Sequence, residues 1–425
     1  MSATAFLLER LAPIPAPGPR AERGRAWLNA HGLPDRREEA WRYTPLDDIL
    51  AALESARPAP DPSDTVDRSV VDELAGDHGG PRLVFVNGAL APDISDLDSA
   101  PAGLWLGGAD GLRPRRKPGA PTPQDEPVDG FHALNWAAGR DVAAVLVEPD
   151  ARPDVPVHVV HLAAPAECVT MAHPRTVIRL GRGSRVHVIE TYAGLGGRSV
   201  TNASTRIVAG EDASITYHRV AAEPSGAIHI GRTGIEQAAR STVSATSLIT
   251  DGEIVRSAID VRLGGVDARV DLNGLYLPTG RQRHDNVITV DHVASRCTST
   301  QRFKCVVDDH ARGSFSGHVI VRPGTVGTDA SQSNPNLVLA PTAQADTRPW
   351  LEILADDVRC THGATVGRLD HDALFYLRSR GIPLAESRAM LVTAFAAEVI
   401  DAISPKSLHD FVAAAFARHA PGAPR

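Results

Sequence analysis

Cysteine is scarce and dispersed in this chain. Its four cysteines, Cys168, Cys297, Cys305 and Cys360, form no C-x-x-C pair, which excludes a disulfide framework and a self-contained zinc or iron–sulfur site. A reducing cytoplasm is the expected compartment. Lysine is scarcer still, with only Lys117, Lys304 and Lys406, and none of them follows a glycine. A phosphate-binding loop of the Gly-Lys-Ser/Thr type is therefore excluded, so the chain carries no ATP site of that class. The G-x-S-x-G elbow and the H-E-x-x-H zinc motif are missing too. Aromatic residues make up 4% of the chain, too few for a row of sugar-binding platforms. No apolar run approaches the roughly 18 residues that cross a bilayer, and the first residues lack the pattern of a signal peptide, so no membrane association is expected. A net charge of -7 supplies no basic footprint for nucleic acid.

What is present falls into three textures. Residues 1–127 read as mostly helical, with Gly32 ending one helix, Thr44-Pro45 opening another, and a Pro-rich linker with the basic cluster Arg113, Arg115, Arg116 and Lys117. Trp41 and Tyr43 are packing anchors in this reading. Residues 128–368 open with the short helical FHALNWAAGRD. From Val142 they turn into short runs of Val, Ile, Leu and Thr that alternate with polar residues and break at Gly, Asp and Asn. Residues 369–425 return to helix, N-capped by Asp370, stopped at Gly381 and restarted at Pro383 and Ser404-Pro405.

A weak repeat runs through the β region. Gly181-Arg-Gly-Ser184, Gly210-Glu-Asp-Ala213, Gly265-Val-Asp-Ala268 and Asp308-Asp-His-Ala311 share a turn residue, two spacers and a small residue, at offsets of 29, 55 and 43. Spacing of that order suits a solenoid in which each coil of 20-odd residues stacks on the last. The fold class is therefore expected to be mainly β, a parallel β-helix core flanked by N-terminal and C-terminal helical segments. A two-sheet sandwich is the structural alternative, although about 225 residues is large for one.

Chemistry is thinly signalled. His284, Asp285, Asp291 and His292 invite a hydrolase reading but lack a nucleophile. The segment Gln332 to Asn336 suits a side-chain amide ladder in a solenoid. The informative stretch is ADDVRCTHGATVG, from Ala355 to Gly367, because period-two geometry points Cys360 and His362 to one face of a strand. Two donors do not close a coordination sphere. Read alone, the pair is most simply a packed thiol and a locally bonded imidazole.

The wider motif resembles a known family. DDVRCTHGATVGRLDHDALFYLRSRGIP, from Asp356 to Pro383, is similar to the signature of the SufB/SufD family of iron–sulfur cluster assembly proteins. RREEAWRYTPL from Arg36, FHALNWA from Phe131 and TDASQSNPNLVL from Thr328 resemble its SufD branch. The resemblance implies a right-handed parallel β-helix in a complex with a SufB-like homologous subunit and two copies of a SufC-like ABC-type ATPase. That complex builds a transient iron–sulfur cluster from persulfide sulfur and iron and passes it to apo acceptor proteins. It also implies that His362, with Cys360 beside it, forms a cluster or iron half-site at the SufB interface. The helices after Arg380, with the stripe Leu391, Phe395 and Val399, correspond to the region that docks SufC, though such a stripe also suits packing within the chain. On this reading the chain is a non-catalytic scaffold subunit. A reduced flavin in the complex and homodimerisation in isolation are left open, and Cys168, Cys297 and Cys305 receive no role. The alternative is a β-helix polysaccharide lyase or hydrolase; a free-standing iron binder would need a fuller ligand set.

Overall fold

A computed structural model describes residues 18–59, 66–112, 126–164 and 167–419. The basic cluster at Arg113 to Lys117 lies outside them. The architecture is a parallel β-solenoid of about eight turns. Each coil contributes one strand to each of two facing sheets. The first sheet runs in space from Gln344–Ile353 through Arg312–Val321, Arg283–His292, Ile254–Leu263, Ile228–Gln237, Ser199–Ala209 and Arg175–Leu180 to Ala143–Val147. The second runs from Val358–Gly367 through Thr328–Val338, Thr298–Val307, Arg269–Tyr276, Thr242–Ile249, Ser214–Ala222 and Arg185–Gly194 to Val157–Ala163. All of these neighbours pair in parallel. The sheets begin earlier than Val142, because Arg82–Val86 joins the second sheet in parallel and Leu104–Gly107 joins the first antiparallel.

In-register stacking turns the sequence alternation into columns. Ile178, Ile207, Ile235, Val261, Val290, Val319 and Leu351 lie on successive coils of the first sheet. Opposite them run Val157, Val188, Tyr217, Ala245, Leu272, Gln301, Gln332 and His362. Most of these side chains meet in one core between the sheets. Burial at about 25 cal/mol per Å² of apolar surface makes this shared core the main stabilising term.

The sequence repeat is the corner between the sheets. Asp150, Gly183, Asp212, Arg240, Asp267, Arg296 and Gly327 all have positive φ, recur every 27 to 33 residues, and each donates its backbone N–H to the corner of the next coil. Arg240 also pairs with Asp212 at 2.7 Å, and Arg296 with Asp267 at 2.7 Å. Two residues before three of these positions stand Gly181, Gly210 and Gly265. A Cβ at Gly210 would lie 2.7 Å from the Leu180 carbonyl oxygen, and one at Gly265 would overlap the backbone of Ala238 and Ala239. The offsets of 29 and 55 are thus one and two coils. The offset of 43 is one and a half, because Asp308 turns the chain at the opposite edge.

Helices seal the outer faces. The first sheet's outward column Met171, Val200, Ile228 and Ile254 is covered by Trp41, by Leu46, Ile49 and Leu53 of the helix Leu46–Ser55, and by Phe131. Trp41 lies 4.0 Å beneath the Arg256 guanidinium, which pairs with Asp285 at 2.6 Å, so Trp41 is a packing anchor as expected. On the second sheet, Ile189, Val220, Leu248, Leu275, Val306 and Leu337 are covered by the helices Leu384–Ile400 and Lys406–His419. Lys304 locks the first of these down through Glu398 at 2.6 Å and the Phe395 carbonyl at 2.9 Å. The capping expectations hold: Asp370 accepts from the backbone N–H of Asp372 at 2.8 Å, and Gly381 has φ 84°.

If close coil-to-coil approach at the corner sets the stacking, Gly265→Ala should destabilise the fold by about 3 kcal/mol, the upper part of the range for overpacking. Urea denaturation followed by far-ultraviolet circular dichroism measures this. An unchanged midpoint would show that the corner has slack.

Candidate functional site

The solenoid ends at an open edge. Val358–Gly367 pairs on one side only, with Thr328–Val338, placing Cys360 opposite Ala330 and His362 opposite Gln332. Because Ala330, Gln332 and Asn334 are buried toward the interior, the positions stacked on them face the mouth of the solenoid. Cys360 and His362 therefore share a face as the period-two reading expects, roughly 6.6 Å apart along the strand.

Their surroundings differ. Cys360 is half-buried and packs with Val319, Val321, Ala330, Leu351 and Val358 in a small apolar cluster that closes the end of the core. Burial pushes its thiol pKa up, and the charge of Asp329 pushes the same way against a lowering hydrogen bond from the Ala330 backbone. At neutral pH Cys360 is consequently a protonated thiol and a poor ligand until something displaces the proton. His362 is exposed. Beneath it, Gln332 donates to Gln301 at 2.9 Å and reaches across the interior over Gly317, whose missing side chain leaves it room. Asn334 donates to the Phe303 carbonyl at 2.8 Å, and Asn336 donates to the Asn334 side chain at 2.9 Å. The expected amide ladder is present, and it forms the polar floor of the mouth.

Among the described residues no group of three or more His, Cys, Asp or Glu side chains is arranged to hold a metal ion. Cys360 and His362 supply one soft and one borderline donor on an accessible edge. Such a pair can complete a site with donors from elsewhere but cannot make one alone. Asp356 and Asp357 lie in the turn before the strand, exposed, with the Asp357 carbonyl accepting from Gly327 at 2.8 Å.

The helical tail places the Leu391, Phe395 and Val399 stripe mainly inward. Val399 is 1% exposed in the core against the second sheet, Phe395 is partly covered and carries Lys304 5.0 Å from its ring, and Leu391 is half-buried. The exposed apolar residues nearby are Phe375 at 74%, Tyr376 at 57%, Met390 at 46% and Leu384 at 44%. Sequence reasoning did not single these out, since an apolar residue in a well-capped helix reads as buried.

The hydrolase candidates separate. Asp285 is buried in the pair with Arg256 and accepts from Ser314 at 2.6 Å, while His284 meets the Gly252 carbonyl at 3.1 Å. Asp291 pairs with Arg322 at 2.8 Å and His292 with Ser299 at 2.9 Å. A denser acid–base cluster, unseen in the sequence, fills the solenoid interior. Glu190 accepts from Thr176 at 2.5 Å, Thr205 at 2.8 Å and Tyr217, with His161 at 3.3 Å. Full burial would raise its pKa, but bonds from His161, Thr176 and Tyr217 outweigh that and hold it at about 2. Next to it, Glu223 accepts from His229 Nδ1 at 2.5 Å while His229 Nε2 accepts from Arg219. All these groups are buried. They brace the interior and offer no exposed groove for a polysaccharide.

Comparison with known proteins gives one consistent result. Residues 161–395 match the family described as "SUF system FeS cluster assembly, SufBD core domain". The chain is 31% identical over 410 residues to the iron–sulfur cluster assembly protein SufD of Escherichia coli, covering 96% of this chain and 94% of that one. It is 29% identical to a SufBD family protein of Synechocystis, covering 90% and 86%, and 26% identical to one of Mycobacterium tuberculosis, covering 91% and 89%. Among the described residues no helix is long and apolar enough to cross a membrane.

Two solution measurements follow. With native protein, an alkylating reagent should modify exposed Cys168 fastest and Cys360 more slowly, and should reach buried Cys297 and Cys305 only after denaturation. Mass spectrometry of the labelled peptides reads the order, and rapid native labelling of Cys305 would contradict the interior assignment. The second concerns acid. Burial lowers His173, His187 and His292 to about 4 and His218 to about 3, from an ordinary 6.5. A lowered histidine pKa contributes stability that is fully present above 6.5 and drains away as pH falls toward the folded value, at about 1.4 kcal/mol per unit and group. Glu190 adds a second loss, beginning below 4.5 and continuing to about 2. The urea midpoint should therefore start to fall just below pH 6.5. A midpoint flat to pH 4.5 would refute the histidine contribution.

Proposed function

The chain belongs to the SufB/SufD family of SUF iron–sulfur cluster assembly proteins and is most like SufD, and from that premise we propose that it is a non-catalytic scaffold subunit whose open solenoid edge pairs with a SufB-like homologue. The single observation that carries this reading is the strand Val358–Gly367, which leaves one full edge of backbone hydrogen-bonding groups unpaired while presenting Cys360 and His362. Exposed strand edges in native proteins are normally blunted or covered, and a second solenoid offering its own terminal strand would cover this one.

The chemistry fits a half-site for a cluster or for iron, which are cargo here and not resident cofactors. The exposed imidazole of His362 is the stronger donor in this chain, because Cys360 must first lose a proton that burial holds in place. Donors split between two chains would let the site open when the interface moves, so a nascent cluster could leave for an apo acceptor protein. ATP hydrolysis would belong to a SufC-like ABC-type ATPase. The C-terminal helices would dock it through the exposed residues Phe375, Tyr376 and Met390 and the outer flank of the Leu391 and Phe395 stripe, with Val399 anchoring the helix from beneath. The polysaccharide lyase reading has no comparable support, since the clustered carboxylates are buried.

Affinity purification of the tagged chain from its own cells tests the reading. A SufC-like ATPase and a homologous β-helix subunit should accompany it, and recovery of the chain alone would sink the proposal. The variant His362→Ala should assemble with the same partners yet lower cluster yield in cells. Full yield from that variant would remove His362 from the site.

A further inference from the structure

The side-chain amide ladder under the mouth of the solenoid is incomplete at one rung. Gln301, Gln332 and His362 are in-register neighbours on three successive coils of the second sheet, so their side chains leave the strands on the same face and stack at about 4.8 Å per coil. Gln332 Nε2 donates to Gln301 Oε1 at 2.9 Å, which runs the ladder toward the earlier coil. The opposite sheet makes room for this arrangement. A Cβ at Gly317 would overlap Gln332 Nε2 and Cδ, so the missing side chain is what lets the amide lie there.

The neighbouring amides are satisfied. Asn334 donates to the Phe303 carbonyl at 2.8 Å, its own Oδ1 accepts from Asn336 Nδ2 at 2.9 Å, and Asn336 Nδ2 also reaches the Thr365 carbonyl of the last strand at 3.0 Å. Gln332 Oε1 is different. It belongs to a residue only 3% exposed, and among the described residues it has no hydrogen-bond partner. A buried acceptor left in that state is costly. The oxygen and nitrogen of an amide diverge, so with Nε2 committed to the earlier coil the ladder's direction assigns Oε1 to the later one. The residue at that position is His362. His362 is exposed and makes no hydrogen bond among the described residues, so its ring is free to turn onto the oxygen.

We propose that Gln332 is a positioning residue for the half-site: its Oε1 accepts the Nδ1–H of His362 and holds the imidazole as the neutral tautomer whose Nε2 lone pair is offered at the mouth to iron or a nascent cluster. The inference rests on the half-site reading of His362. A ligating imidazole needs one nitrogen without a proton, and the acceptor at the other nitrogen decides which one that is. Nδ1 adjoins the ring carbon that carries the Cβ stem and lies nearer the rung below. Nε2 is the far end of the ring, where donors from a second chain would meet it. A histidine side chain free in water favours the Nε2–H tautomer, so without Gln332 the outward nitrogen would carry the proton.

Nuclear magnetic resonance of the full chain carrying nitrogen-labelled histidine tests the assignment, because nitrogen–proton correlations read the tautomer of each ring. The pH is set well above the ordinary imidazole pKa of about 6.5, and the His362 signals are those missing from His362→Ala. Wild type should show His362 as Nδ1–H. Gln332→Met should return it to Nε2–H, and Gln332→Glu, which restores an acceptor, should keep Nδ1–H. Gln332→Asn, an amide one methylene too short, should behave as Gln332→Met does and takes its place if Gln332→Met fails to fold. Cluster yield in cells should fall about tenfold in Gln332→Met and recover in Gln332→Glu, the lower end of the effect of losing a metal ligand's outer partner. Three results would overturn the proposal: Nε2–H in the wild type, Nδ1–H retained in the folded variants that lack the acceptor, or unchanged yield in Gln332→Met where His362→Ala lowers it. Full yield from His362→Ala would instead overturn the half-site reading, so the two fail separately.

Discussion

Everything in this molecule depends on the parallel hydrogen-bond ladder that holds each coil on the one before it. A strand in the middle of either sheet is paired on both edges and covered on both faces, so its backbone groups and apolar side chains are satisfied together. That is possible only if every coil keeps register at the corners, where a left-handed residue and a close backbone approach recur. The glycines at 181, 210 and 265 and the aspartates at 212 and 267 are the local chemistry of that requirement.

The ladder has a beginning and an end, and the two are treated differently. Toward the N-terminus the sheets finish in antiparallel additions from Leu104–Gly107 and Ala89–Leu90, which terminate the parallel pattern. At the C-terminal end the last coil simply stops, while the chain turns back to lay its helices over the second sheet's outer face. The terminal strand is left with an unpaired edge, a half-buried thiol and an exposed imidazole. Function is expected where packing is incomplete, and this is the least complete place in the solenoid.

The interior supports the same division of labour. Apolar columns give way to Gln301, Gln332 and Asn334 as the open end approaches, and a buried acid–base cluster around Glu190 sits coils away from it. Buried charges of that kind are tolerated because each has several partners, and removing one partner is costly. They look like catalytic machinery in a list of residues. Enclosed between two sheets, they are bracing.

The amino-acid sequence by itself determined the solenoid class, the helical ends and their caps at Asp370 and Gly381, and the pairing of Cys360 with His362 on one face. Each of those follows from local periodicity or local backbone preference. It hid what depends on residues distant in the chain. The 43-residue offset was ambiguous until the corners were assigned to opposite edges. Leu391, Phe395 and Val399 were legible as a stripe, but only packing against Val306 and Leu337 showed that it faces mainly inward, while Phe375 and Tyr376 face solvent. The gathering of Arg175, Arg206 and Arg232 on neighbouring coils was likewise invisible, because register between strands 28 and 29 residues apart brings them together. Tertiary structure alone decided that Val358–Gly367 keeps one edge unpaired, and an unpaired edge is a property of the stack and of no single residue in it.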